Sequence, residues 1–192
     1  MIIKKFRKEI SVHFLIWCIL LISSRVFAQE SLIFDENTTS DKVAGAIKLH
    51  GSEMVVMQIQ LDEKYMNFFI NKIKSGEYEW LSVAESLMSV GGASTSEWIS
   101  EAVSNALDNK PENVLKITAR PLNLICNGGD IDMKEGVDIN QEILLGEKRI
   151  KALLDINNEN LVDQKVECID SLWLFVKKLY DISEASNKDS KK

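Results

Sequence analysis

The chain has 192 residues, enough for one domain with a sizeable core, and 23 basic against 29 acidic residues give a formal charge of −6. An acidic balance argues against nucleic acid and anionic lipid as partners, because both repel it, and it favours a basic protein partner. Two histidines and three cysteines leave little material for His-based metal sites or nucleophilic triads.

Residues 1–28 read as a signal peptide. Lys4, Lys5, Arg7 and Lys8 form a basic start, residues 14–22 form an apolar run, and Val26-Phe27-Ala28 offers a cleavage site after Ala28. An uncleaved anchor is the alternative, but spanning a bilayer takes about 20 apolar residues. A lipoprotein site at Cys18 fails because Trp17 stands where a small residue is needed. The expectation is export to the periplasm and no membrane association after cleavage. Residues 1–28 hold five basic residues and one acidic, so the remainder carries 18 basic and 28 acidic residues, a formal charge of −10. It also keeps two cysteines, Cys126 and Cys168, and an even pair in an exported chain implies a disulfide. A reactive thiol or half a metal site would want a histidine nearby, and none is there.

In chain order, 29–39 is a loosely held lead-in, 40–182 a single helical domain and 183–192 a disordered tail. Thr39 or Ser40 caps a helix with Val43, Ala44, Ile47 and Lys48, stopped at His50-Gly51. Residues 52–61 alternate like a strand but have no partner strand, so a helix is expected there. Asp62 opens a helix with Tyr65, Phe68, Phe69 and Ile73, ended by Ser75-Gly76. The next carries Trp80, Leu81, Ala84, Leu87 and Met88 on one face, and Gly91-Gly92 breaks it. Ser94-Thr95-Ser96-Glu97 reads as a capping box ahead of Trp98, Ile99, Ala102, Val103, Ala106 and Leu107. Pro111 starts a short helix through Val114 and Leu115. After Cys126, the Asn127-Gly128-Gly129-Asp130 run marks a loop to Asp138. A long helix follows with Ile143, Leu144, Ile150, Leu153 and Leu154. The last helix places Val162, Val166, Ile169, Trp173, Val176 and Tyr180 at 4-3 spacing, widened by Leu161, Cys168, Leu172, Phe175 and Leu179. The fold class is all-α, an array of short antiparallel helices, bundle or solenoid-like, with one disulfide.

Candidate chemistry is thin. His50 lies at a helix end, where it complements the helix dipole. Asp130, Asp132, Glu135 and Asp138 fail the calcium-loop pattern, because Lys134 takes a ligand position, Gly136 comes one residue late and Gln141 replaces the closing glutamate. Glu77 and Glu79 suit a helix first turn. Trp80, Trp98 and Trp173 fall on apolar faces and read as core, as do Met54, Met57, Met66 and Met88. No catalytic residue, metal ligand or cofactor is expected. The loop with Asn127, Asp130, Asp132, Glu135 and Asp138 is the candidate interaction surface.

Ile73-Lys74-Ser75-Gly76, Trp80-Leu81-Ser82-Val83-Ala84, the capped helix at Ser94 and Pro111 with Val114-Leu115, followed by a cysteine pair, resemble a loose group of small, mostly uncharacterised exported bacterial helical proteins. The resemblance covers residues 41–117. Asn109-Lys110-Pro111 departs from it, since the group has asparagine directly before proline, and Gly92-Ala93-Ser94 stands where the group has an acidic residue. It implies no catalytic residues. The expected function is protein–protein contact in the periplasm, in its most concrete form an immunity or inhibitor protein against a cell-wall-targeting toxin. The alternative is a periplasmic small-molecule or peptide-binding module with Trp or Met residues lining a pocket.

Overall fold

Capping side chains and glycine stops divide the chain into nine α-helices and one 3-10 turn among the residues that the computed structural model describes: 32, 34–89, 92–118, 121–126 and 138–189. No strand occurs among them. The helices are α1 (Ser40–His50), α2 (Ser52–Gln60), α3 (Glu63–Lys74), α4 (Tyr78–Met88), α5 (Ala93–Ala106), α6 (Pro111–Ile117), α7 (Leu122–Cys126), α8 (Ile139–Leu154) and α9 (Val162–Asp189), with the 3-10 turn at Glu159–Leu161.

The lead-in is held more firmly than its polarity implies. Phe34 is fully buried and meets Phe69 edge-on, with ring centroids 5.3 Å apart. Asp35 and Thr38 close a turn beneath it, Asp35 N donating to Thr38 Oγ1 at 2.8 Å. Thr39 caps α1 through the Lys42 amide. Gly51, at φ 85°, is shared by two helices: its amide donates to the Ile47 carbonyl and its own carbonyl accepts from Val55. The strand-like residues after it therefore continue as helix, burying Val55, Val56 and Ile59.

Asp62 caps α3 and Pro111 occupies the first turn of α6. The capping box at Ser94 does not form. Gly92 is the N-cap of α5, which lacks a side-chain cap, and Ser94 already lies in the helix. Thr95 instead turns inward and accepts a 2.9 Å hydrogen bond from Gln60 Nε2, tying α2 to α5.

The core forms around α4, which packs on α1, α2, α3, α5 and α6 and buries Trp80, Leu81, Val83, Ala84, Leu87 and Met88. Trp80 meets Phe68 and Phe69 edge-on at 5.9 and 5.8 Å, and Lys72 Nζ lies over the Phe68 ring. The α3–α4 turn is clamped to the α5–α6 turn by two amides. Asn109 Nδ2 donates to the Lys74 carbonyl at 2.8 Å and Asn113 Nδ2 to the Gly76 carbonyl at 3.0 Å. Gly76 has φ 73°, and a Cβ there would sit 2.7 Å from Lys110 Cβ, so glycine is required twice over.

The second layer is α7, α8 and α9. It joins the first where α7 packs on α5 and α8 on α6. Cys126 and Cys168 form the disulfide between α7 and α9, with Cα atoms 5.4 Å apart and both side chains fully buried. Closing a loop with a sequence separation of 42 contributes about 4 kcal/mol on the chain-entropy model. The α8–α9 crossing is close because Gly146 opposes Val176. α9 also runs to Asp189, so the tail expected from Ser183 is helical over its first seven residues.

Candidate functional site

The loop expected to make contacts falls mostly outside the described residues, which include neither Asn127, Asp130, Asp132 nor Glu135. Asp138 is described, and its role is structural, since its Oδ1 accepts from the amides of Asn140 and Gln141 and caps α8. His50 ends α1, exposed, in the last turn. Glu77 is the N-cap residue of α4 and Glu79 lies in its first turn. No group of three His, Cys, Asp or Glu side chains among the described residues is placed to hold a metal ion. No described helix is long and apolar enough to cross a membrane.

One buried charge has no signal in the sequence. Arg149 of α8 is 6% exposed and reaches the C-terminal end of α5. Its Nε donates to Asp108 Oδ1 at 2.8 Å, one terminal nitrogen to Ser104 Oγ at 3.2 Å, and the other to Asn105 Oδ1 at 3.1 Å and Asp108 Oδ2 at 3.3 Å. This planar fork holds the two layers in register. Nothing in Lys148-Arg149-Ile150 marks it. It is a clamp, fully engaged within the fold.

Two surface grooves stand out among the described residues. A polar one of about 970 Å³ runs between the α5–α6 turn and the residues after α8, lined among others by Asn109, Asn113, Asp155 and Asn158. Its amides are already in use: Asn158 Nδ2 donates to Glu112 at 2.9 Å, and Asn109 and Asn113 clamp the first layer. The Lys116 and Asn158 hydrogen bonds, with the Lys116 charge beside them, hold the Glu112 carboxyl below the usual carboxylate range. A smaller groove of about 320 Å³ lies between α1 and α4, floored by Ala44, Ile47 and Val83 and rimmed by Asp41, Tyr78 and Glu79. Neither groove is lined by a tryptophan or a methionine.

The tryptophans divide. Trp80 is core, as its spacing implies. Trp98 is half-buried, its Nε1 enclosed without a hydrogen-bond partner among the described residues. Trp173 corrects the expectation: it is 54% exposed. The buried stripe of α9 is Cys168, Leu172, Val176 and Leu179, facing α7 and α8. Val162, Val166 and Tyr180 share the open side with Trp173, each about half exposed. The 4-3 series therefore traces the outer face of α9 and joins the core only at Val176. Tyr180 Oη donates to Glu147 Oε1 at 2.9 Å across the α8–α9 edge. That bond, with partial desolvation, raises the phenol above its ordinary pKa. Leu144 and Leu154, one turn before and two turns after Glu147 on α8, are exposed as well.

No protein-family model, no curated protein and no solved structure matches this chain.

Proposed function

We propose that this is an exported, non-catalytic periplasmic protein that works by protein–protein contact, its most concrete version being an immunity or inhibitor protein against a cell-wall-targeting toxin. The observation that carries the reading is the outer face of α9, where Trp173, Val162, Val166 and Tyr180 form an apolar stripe, each residue about half exposed among the described residues. A contiguous apolar patch with a half-exposed tryptophan at its centre is costly to leave in water and is typical of contact surfaces, where Trp and Tyr dominate binding energy. The surroundings support it. α9 is stapled by the disulfide and locked against α8 at Gly146, so the face is presented on a rigid element. A formal charge of −10 beyond residue 28 favours basic partners. The two grooves lack the Trp and Met lining on which the small-molecule alternative rested.

The test is co-purification of the tagged chain with the products of neighbouring genes, alongside deletion of its gene in cells grown in competition. Binding of a cell-wall hydrolase, with deleted cells sensitised to it, supports the immunity version. No bound protein and no sensitisation would remove it.

A further inference from the structure

The reading of α9 as a contact face leaves its occupant open, and the charges beside the stripe narrow it. Val162, Val166, Trp173 and Tyr180 lie in a narrow strip about 27 Å long. Along its edge runs a second column, Asp163, Asp170, Lys177 and Glu184, each seven residues from the next and all exposed. None of the four has an ion-pair partner among the described residues. An apolar strip flanked by a heptad-spaced charged column is the surface of a helix built to pair with another. Two identical helices paired antiparallel about a twofold axis bring residue i of one against j of the other, and j against i. With the axis beside Trp173 and Leu174, Asp170 meets Lys177 twice, once on each side of the axis, and the two Trp173 rings pack at the centre.

We propose that the exposed face of α9 is a homodimer contact, an antiparallel helix pair centred on Trp173 in which Asp170 of each copy meets Lys177 of the other. This rests on the reading of α9 as a protein-contact surface and commits that surface to a second copy. The acidic excess of each copy opposes association only weakly at physiological salt, where charges beyond about 8 Å are screened, so the neighbouring pairs decide. The same register sets Asp163 against Glu184 at both ends of the contact. Complementarity is therefore confined to the middle, and the dimer is reversible. A toxin or other partner would then be met by a different surface of the dimer.

Charge reversal tests the register. The protein expressed from the full sequence, disulfide formed, is studied by sedimentation velocity across about 1–200 µM, with circular dichroism to verify the fold of each variant. A concentration-dependent dimer is expected. Asp170→Lys and Lys177→Asp each place two like-charged pairs at the centre and weaken it roughly tenfold or more. The double reversal D170K/K177D restores it, as does mixing the two single variants in one proportion. Glu184→Lys tightens it. Both positions are solvent-facing within one copy, so an effect on folding alone would give no restoration. A dimer indifferent to these changes, or a chain monomeric throughout, overturns the proposal. If a monomeric chain still binds another protein and Trp173→Ala abolishes that binding, the contact reading stands and only the second copy is wrong.

Discussion

Replacing Gly146 with alanine sets two effects of known sign against each other. Alanine is the better helix former by about 1 kcal/mol in a helix interior, so at an exposed site the change would stabilise α8. Here an added Cβ would lie 2.5 Å from Val176 Cγ2, closer than real Cβ contacts come. Val176 cannot yield easily: it is fully buried, and a valine in a helix is held in one rotamer. The helices must therefore separate, and α9 is not free to shift, because the Cys126–Cys168 bond ties it to α7. Overpacking of this kind costs about 1–3 kcal/mol, so after the gain of about 1 kcal/mol in helix propensity the net change is a loss of up to about 2 kcal/mol. Val176→Ala alone removes two buried methyl groups and costs about 2 kcal/mol. In G146A/V176A the new methyl occupies space that the valine vacated, so the double variant is more stable than the sum of the singles by about 1 kcal/mol or more. Urea unfolding of the oxidised protein, followed by far-UV circular dichroism, measures the cycle. If G146A is stabilising, or the two changes add within about 0.5 kcal/mol, the close crossing of α8 and α9 is not what holds this layer.

Arg149→Met should cost about 3 kcal/mol by the same assay, because it strips Asp108, Asn105 and Ser104 of their donor in a mostly enclosed site, whereas Asp108→Asn should cost less. Tyr180 should titrate above an ordinary tyrosine in a phenolate absorbance scan corrected with Y180F, and Glu147→Gln should bring it back down. Since its folded pKa is raised, whatever stability the Tyr180–Glu147 bond contributes is present below the ordinary phenol range and is lost as pH rises through the folded value. Glu112 runs the other way. Its folded pKa is depressed, so its contribution is present above the ordinary carboxylate range and disappears as pH falls through the lower folded value; Glu112→Gln should flatten that part of the acid stability profile.

The helices and their stops were legible because local chemistry decides them. Asp62 and Thr39 cap, Pro111 opens a first turn, and Gly51 and Gly76 adopt positive φ. The cysteine pairing followed from arithmetic. What failed depended on neighbours. α9 carries apolar residues around most of its circumference, so periodicity alone could not tell its inner face from its outer one. The deciding facts are the positions of Cys126 and Gly146 on other helices, which draw Cys168 and Val176 inward and leave Trp173 outside. Arg149 was invisible for a similar reason, since its partners lie more than 40 residues earlier. Phe34, in a polar stretch, is a core residue only because α3 offers it Phe69 and Tyr65. The Ser94 box lost to Gly92, which caps α5 before the Ser94 hydroxyl can act.

The most direct measurement of the central claim places a photo-crosslinking residue on the outer face of α9 in living cells, at 166 or 173, with position 78 at the α1–α4 groove as a comparison. The account predicts a protein adduct from 166 and 173, whether to a second copy or to another chain, and weaker or no adduct from 78. Adducts from 78 alone, with 166 and 173 unreacted in a folded, exported protein, would contradict it.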